Sequence, residues 1–245
     1  FAAGGLPDTR VEAWKYTALR ALGQRRFARG DDAAASRVVP ASTFALPGVD
    51  GPRLVFVNGV FRADLSTLDA LPAGLTLQPL SQVLHDGAEP LRFVLSRPAL
   101  IGDAREVGDA FTRINAASAV DGVMLRVAAG VKVAAPVQLV FVGAAAEAEL
   151  ACHLRNVIEL GEGAELSLIE QHVSDAEPAQ LATMVSDIEL REGARLQHTV
   201  LQNVAVATSL MRRSSVRMHA RAHATLHALE LGGALVRHDL RAELV

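Results

Sequence analysis

The chain has 245 residues, half of them apolar but only 4% aromatic, so a sizeable core must be built mainly from Val, Leu, Ile and Ala. A net charge of −3 with both signs interspersed leaves no electrostatic footprint for nucleic acid. The single cysteine, Cys152, excludes an intramolecular disulfide and a cysteine-based metal site and fits a reducing cytoplasm, and there is neither a leader pattern nor an apolar run near the ~18 residues of a membrane span.

The first 30 residues read as helical. Thr9 and Glu12 have the spacing of a capping box, and Val11, Trp14, Leu19 and Leu22 follow at helical intervals. Gly30 before Asp31 and Asp32 reads as the helix stop. Trp14, Lys15, Tyr16 and Thr17 contain the only Trp and the only Tyr of the chain. They read as a helix anchored by its largest side chains, with Lys15 in solvent; the competing reading is partner contact, because Trp and Tyr are common interface anchors. Next, Asn58-Gly59 between the apolar runs Leu54-Val55-Phe56-Val57 and Val60-Phe61 predicts a hairpin, since both turn positions need positive φ. Residues 103–117 carry Val107, Ala110, Phe111 and Ile114 at helical spacing, and Asp121-Gly122 ends that segment. Residues 1–118 are therefore expected to form a smaller mixed, mostly helical region.

From Val123 the period changes from helical to two, and a motif recurs. Residues 158–166 read I-E-L-G-E-G-A-E-L, and residues 188–196 read I-E-L-R-E-G-A-R-L. A weaker copy spans 125–133, and a degenerate one starts near Val216. Spacings near 30 residues, with variation, predict a coil of strands with loops of unequal length. One unit cannot bury its own apolar face, but stacked copies can, with Ile158, Leu160, Leu166 and Leu168 inward and Gly163 at a corner. The expected fold is mainly β: a right-handed parallel β-helix over 119–245. A cupin-like antiparallel roll, with G-E-G-A as a hairpin turn, is the rival, and a cupin-like metal-binding protein is the function that would go with it. The strand-like pattern still running at Val245 reads as that of a fragment.

Few residues point to chemistry. His219, His223 and His227 are four apart, which on a helix suggests a metal site; on a strand they share a face but His219 and His227 lie too far apart for one ion, so they read as exposed or interface histidines. His153, His172 and His198 fall at the repeats; His198 stands where its counterpart is Leu168, as a satisfied core histidine or the mark of a bend. Cys152 reads as a small buried apolar residue, the alternative being a nucleophile or cluster ligand. Glu159, Glu165, Glu170 and Glu189 read as a solvated exterior face, the alternative being a facing carboxylate pair of a carbohydrate-acting β-helix enzyme. Neither a phosphate-binding G-x-x-x-x-G-K-[ST] loop nor a G-x-G-x-x-G turn is present.

Several segments resemble the SufB/SufD family of the SUF iron–sulfur cluster assembly system. Residues 10–19, R-V-E-A-W-K-Y-T-A-L, are similar to a signature near the start of the SufD branch. Leu54 to Gly59, the D-A-F at 109–111 with Asn115 and Asp121-Gly122, and Arg155-Asn156-Val157-Ile158 follow in family order. Gly232, Gly233, Leu235, Arg237 and Asp239 resemble the G-G-x-L-x-R-x-D stretch common to both branches. The resemblance implies a non-catalytic scaffold in a cytoplasmic complex with a SufB-like paralogue and a SufC-like ATPase, the ATPase activity residing in the latter. It implies an iron–sulfur cluster at the level of the complex, none held by this fragment, and no catalytic or metal residue here. Trp14, Lys15, Tyr16, Thr17, Gly232, Gly233, Arg237 and Asp239 are signature positions with a structural role. The free strand edges of an open coil add a homodimer to the expected partners.

Overall fold

A computed structural model describes residues 5–30, 32–87 and 110–245. Its N-terminal region holds four short strands, β1 (Ala28–Arg29), β2 (Arg53–Val57), β3 (Val60–Phe61) and β4 (Leu75–Pro79). It also holds helices α1 (Arg20–Gln24), α2 (Asp32–Ala35), α3 (Leu80–His85) and α4 (Ala110–Ser118). Longer strands follow: β5 (Asp121–Val127), β6 (Val137–Ala144), β7 (Leu150–Leu160), β8 (Glu165–Asp175) and β9 (Gln180–Leu190). The last four are β10 (Arg195–Asn203), β11 (Ser209–Met218), β12 (His223–Glu230) and β13 (Leu235–Leu244).

From β5 onward the chain alternates between two sheets. β5, β7, β9, β11 and β13 are successive parallel neighbours in one, and β6, β8, β10 and β12 in the other. The result is a parallel β-solenoid of about four turns, as the repeat implies. β7 and β8 pair with strands of neighbouring turns and not with each other, so G-E-G-A is a corner between sheets, which disposes of the antiparallel roll.

The register accounts for the repeat. Leu125, Ile158, Ile188 and Val216 lie opposite one another in one column, so the weak and degenerate copies stack with the clear ones. Val127, Leu160, Leu190 and Met218 form the next column. At the corner, Gly163 (φ 62) and Gly193 (φ 67) take the left-handed conformation that a side chain disfavours. The N–H of Gly163 donates to the carbonyl of Glu192 in the next turn at 2.8 Å. Burial of each Val, Leu or Ile in such a column contributes about 1.5–3 kcal/mol, so the columns outweigh the weak charge pairs outside.

The N-terminal region supplies the first layer. β2 runs parallel to β6 with Phe56 opposite Phe141, and β4 runs antiparallel to β5 with Leu77 opposite Leu125. The expected hairpin forms, β3 folding back on β2 through Asn58 (φ 51) and Gly59 (φ 82). These strands cover edges of β5 and β6 that would otherwise invite pairing. Outside the lumen, Val39 and Phe44 cover Val140 and Val142, while Trp14, Leu19, Leu22 and Phe111 cover Leu181 and Met211.

The N-terminal helix does not form as expected. Glu12–Trp14 is one 3-10 turn and α1 is five residues long. Val11 precedes the turn without a side-chain cap, so the Thr9–Glu12 capping box is absent, and Asp8 Oδ1 instead accepts from Arg10 N at 2.9 Å. A flat sheet is the reason: a broken path can lay Trp14, Leu19 and Leu22 on it, whereas a single helix offers only a stripe. Gly30 follows β1, which pairs with β7, and so stops no helix. The helix expected over 103–117 is described only as α4; residues 103–109, and Asp31, lie outside the described residues.

Candidate functional site

Signature residues from the two ends of the chain meet on the outer face of the sheet that holds β13. Trp14 is buried, with its ring centroid 5.4 Å from that of Phe111. The Arg237 guanidinium lies 4.1 Å over the Trp14 ring. It donates to the Ala13 carbonyl at 2.7 Å, to Thr17 Oγ1 at 3.4 Å, and to both Asp239 oxygens at 3.1 and 2.8 Å. Trp14, Thr17, Arg237 and Asp239 thus form a clasp between the N-terminal segment and β13, the last strand of the sheet. Lys15 and Tyr16 stand apart: Tyr16 is 90% exposed, with the Lys15 ammonium 5.5 Å from its ring. Tyr16 is therefore no anchor, because the turn that aims Trp14 at the sheet points it the other way. Gly232 and Gly233 make the corner before β13, where Gln202 Nε2 donates to the Gly232 carbonyl at 2.7 Å.

The second cluster lies inside the solenoid. His172 Nε2 donates to Glu170 Oε1 at 2.5 Å, and His198 Nε2 donates to Glu170 Oε2 at 3.0 Å. Arg212 Nη1 is 3.7 Å from Glu170 Oε1, and its Nη2 is 2.5 Å from Glu230 Oε1. Ser214 Oγ and His238 Nε2 are 2.9 Å apart. Glu170, His172, His198 and Arg212 are each at most 5% exposed at the side chain. Burial pushes the Glu170 carboxyl up, but the two imidazole hydrogen bonds outweigh it and hold the group well below the usual carboxylate range. Burial, against the pull of Glu170, depresses His172. Burial, aided by the Arg212 charge, lowers His238 to about 4.

Glu170 corrects the exterior reading: it shares the inward parity of Leu166 and Leu168, and that parity was the signal available in the sequence. Glu159, Glu165 and Glu189 do lie outside, paired with Arg126 at 2.6 Å, Lys132 at 2.7 Å and His219 at 2.6 Å. His198 is a satisfied interior histidine, as one of its two readings has it. His223 and His227 are exposed on β12. Among the described residues no group of three His, Cys, Asp or Glu converges to hold a metal ion. Cys152 is a buried free thiol, pushed up to about 12 by burial. His153 contacts Thr183 Oγ1 at 2.8 Å, and burial with the Arg29 charge lowers it to about 4. A buried ion pair, Arg155 with Asp187 at 2.5 Å, sits on the outer face and had no sequence signal beyond its residue types.

Two family models match in succession: the SufBD protein N-terminal region over residues 1–139, and the SUF system FeS cluster assembly SufBD core domain over residues 141–245. An iron–sulfur cluster assembly SufBD family protein of Synechocystis, slr0076, is 25% identical over 244 residues, 96% of this chain and 52% of its own. The iron–sulfur cluster assembly protein SufD of Escherichia coli is 27% identical over 249 residues, 98% of this chain and 52% of its own. The chloroplastic protein ABCI7 of Arabidopsis thaliana is 28% identical over 142 residues, 56% of this chain and 30% of its own. The chain spans about half the length of the first two relatives. Among the described residues no helix is long and apolar enough to cross a membrane.

Proposed function

The chain belongs to the SufBD family of SUF iron–sulfur cluster assembly proteins, and from that premise we propose that it is a non-catalytic scaffold subunit. Its partners are a SufB-like paralogue and a SufC-like ATPase, and the cluster is cargo of the complex. The observation that carries this reading is the match of both family models, N-terminal region then core, along the whole chain. The likeness to a SufD adds the choice of branch. The reading includes a cytoplasmic setting.

The experiment is co-expression of the full-length protein with SufB-like and SufC-like subunits, followed by size-exclusion chromatography with mass measurement. A stable complex containing both, with ATP hydrolysis that vanishes when the SufC-like subunit is left out, is the expected result. Co-elution with neither partner, or association of the chain only with itself, overturns the reading.

A further inference from the structure

Solenoid interiors are usually filled by ladders of like apolar residues, and here four ladders change character partway up. Glu170 stands opposite Leu139 of the preceding turn, His172 opposite Phe141, His198 opposite Leu168, and Arg212 opposite Met184. Taking charged groups out of water costs several kcal/mol each, and well-packed apolar residues often serve stability as well or better. The preceding turn shows that apolar side chains fit these columns. The cluster is therefore not explained by packing.

We propose that Glu170 and His198 form a proton-transfer site inside the lumen, with Arg212 and His172 fixing its charge and geometry. The charge count supports it. With Glu170 and Glu230 ionised, Arg212 cationic and the imidazoles neutral, the cluster carries one surplus negative charge, so a single added proton neutralises it. His198 Nε2–H donates to Glu170, which fixes the tautomer and leaves Nδ1 as the basic nitrogen. His198, Ser214 and Thr225 are the polar side chains along an otherwise apolar cavity of about 150 Å³ between β10, β11 and the last strands. A proton delivered by a hydronium ion forms an N–H bond at Nδ1 as an O–H bond of the hydronium breaks. The Nε2–H bond then breaks as its proton passes to Glu170 Oε2, and reversal of the two steps returns it. No electron moves.

The titratable and charged groups facing the pair are His172 from β8, Arg212 from β11, Glu230 from β12 and His238 from β13. β6 and β9 present Phe141, Met184 and Ser186, which do not titrate. A metal ion is disfavoured, because the Arg212 guanidinium already supplies the positive charge beside Glu170.

The test is long-range ¹H–¹⁵N spectroscopy of the histidine-labelled full-length protein between about pH 5 and 8.5. The expected result is that His172 and His198 start as Nε2–H tautomers and that one transition, a proton taken up at His198, moves the signals of both rings, the mark of a coupled site. Glu170→Gln should lower that transition by about one pH unit or more. His198→Leu restores the leucine of the preceding turn, keeps the fold testable, and should remove the transition from His172. Separate transitions that Glu170→Gln leaves in place, or no change of protonation in either ring, overturn the proposal.

Discussion

The two ends of the solenoid's cross-section obey different rules. At the G-E-G-A corner the interior is apolar in turn after turn: Leu125, Ile158 and Ile188 in one column, Val127, Leu160 and Leu190 in the next, Leu166 and Leu196 facing them. At the opposite end, Leu139, Phe141 and Met184 give way to Glu170, His172 and Arg212. One apolar corner is enough to set the register, because a one-residue slip would turn every column outward. The far end is then free to carry charge, provided that each charged group has a partner.

The comparison can be broken first at the polar end. Arg212→Met leaves the buried Glu170 carboxylate without its countercharge and should cost about 3–5 kcal/mol in chemical denaturation. At the apolar corner, Ile188→Ala should cost about 3 kcal/mol, and Ile188→Val about 1 kcal/mol, in the same measurement. A larger loss from Ile188→Ala than from Arg212→Met would mean that the polar end is loosely held.

Acid should separate the two ends further. His172 and His238 are held below the ordinary histidine value of 6.5. The unfolded chain thus takes up protons that the native interior refuses, and stability falls as pH drops from about 6.5 toward 4, by on the order of 2 kcal/mol. Glu170, shifted downward, gives stability that is complete above the ordinary carboxylate value and lost only as pH falls through its own lower one. Asp187 works the other way: burial raises it, so acid relieves part of its cost. Thermal unfolding followed from pH 8 down to about 4.5 checks the slope. The smallest effect is expected outside: Glu159→Gln, at a half-exposed pair with Arg126, should change stability by less than about 1 kcal/mol.

How much of this could be read from residues alone follows the same divide. The repeat and the Asn58-Gly59 turn were legible because each rests on local chemistry: period-two alternation, and backbone that needs positive φ. The clasp was legible only as separate motifs, since nothing local says that Arg237 covers Trp14. Lys15 and Tyr16 belong to the same motif yet face solvent, because a 3-10 turn sends neighbouring side chains in different directions. Glu170 reads as exterior when grouped with Glu159, Glu165 and Glu189, yet it falls on the parity of Leu166 and Leu168. The rest of its cluster, His198, Arg212, Glu230 and His238, comes from later turns, and only the register brings these residues together.

The most direct test of the claim that the polar end is kept for its chemistry and not for stability is a fourfold exchange. Glu170→Leu, His172→Phe, His198→Leu and Arg212→Met together copy the preceding turn into these columns. The account predicts a protein that melts at or above the temperature of the original, since replacing buried charge networks by apolar residues is neutral or gains about 1–4 kcal/mol. A variant that fails to fold, or melts well below the original, would show that the charged cluster holds the solenoid together and would contradict it.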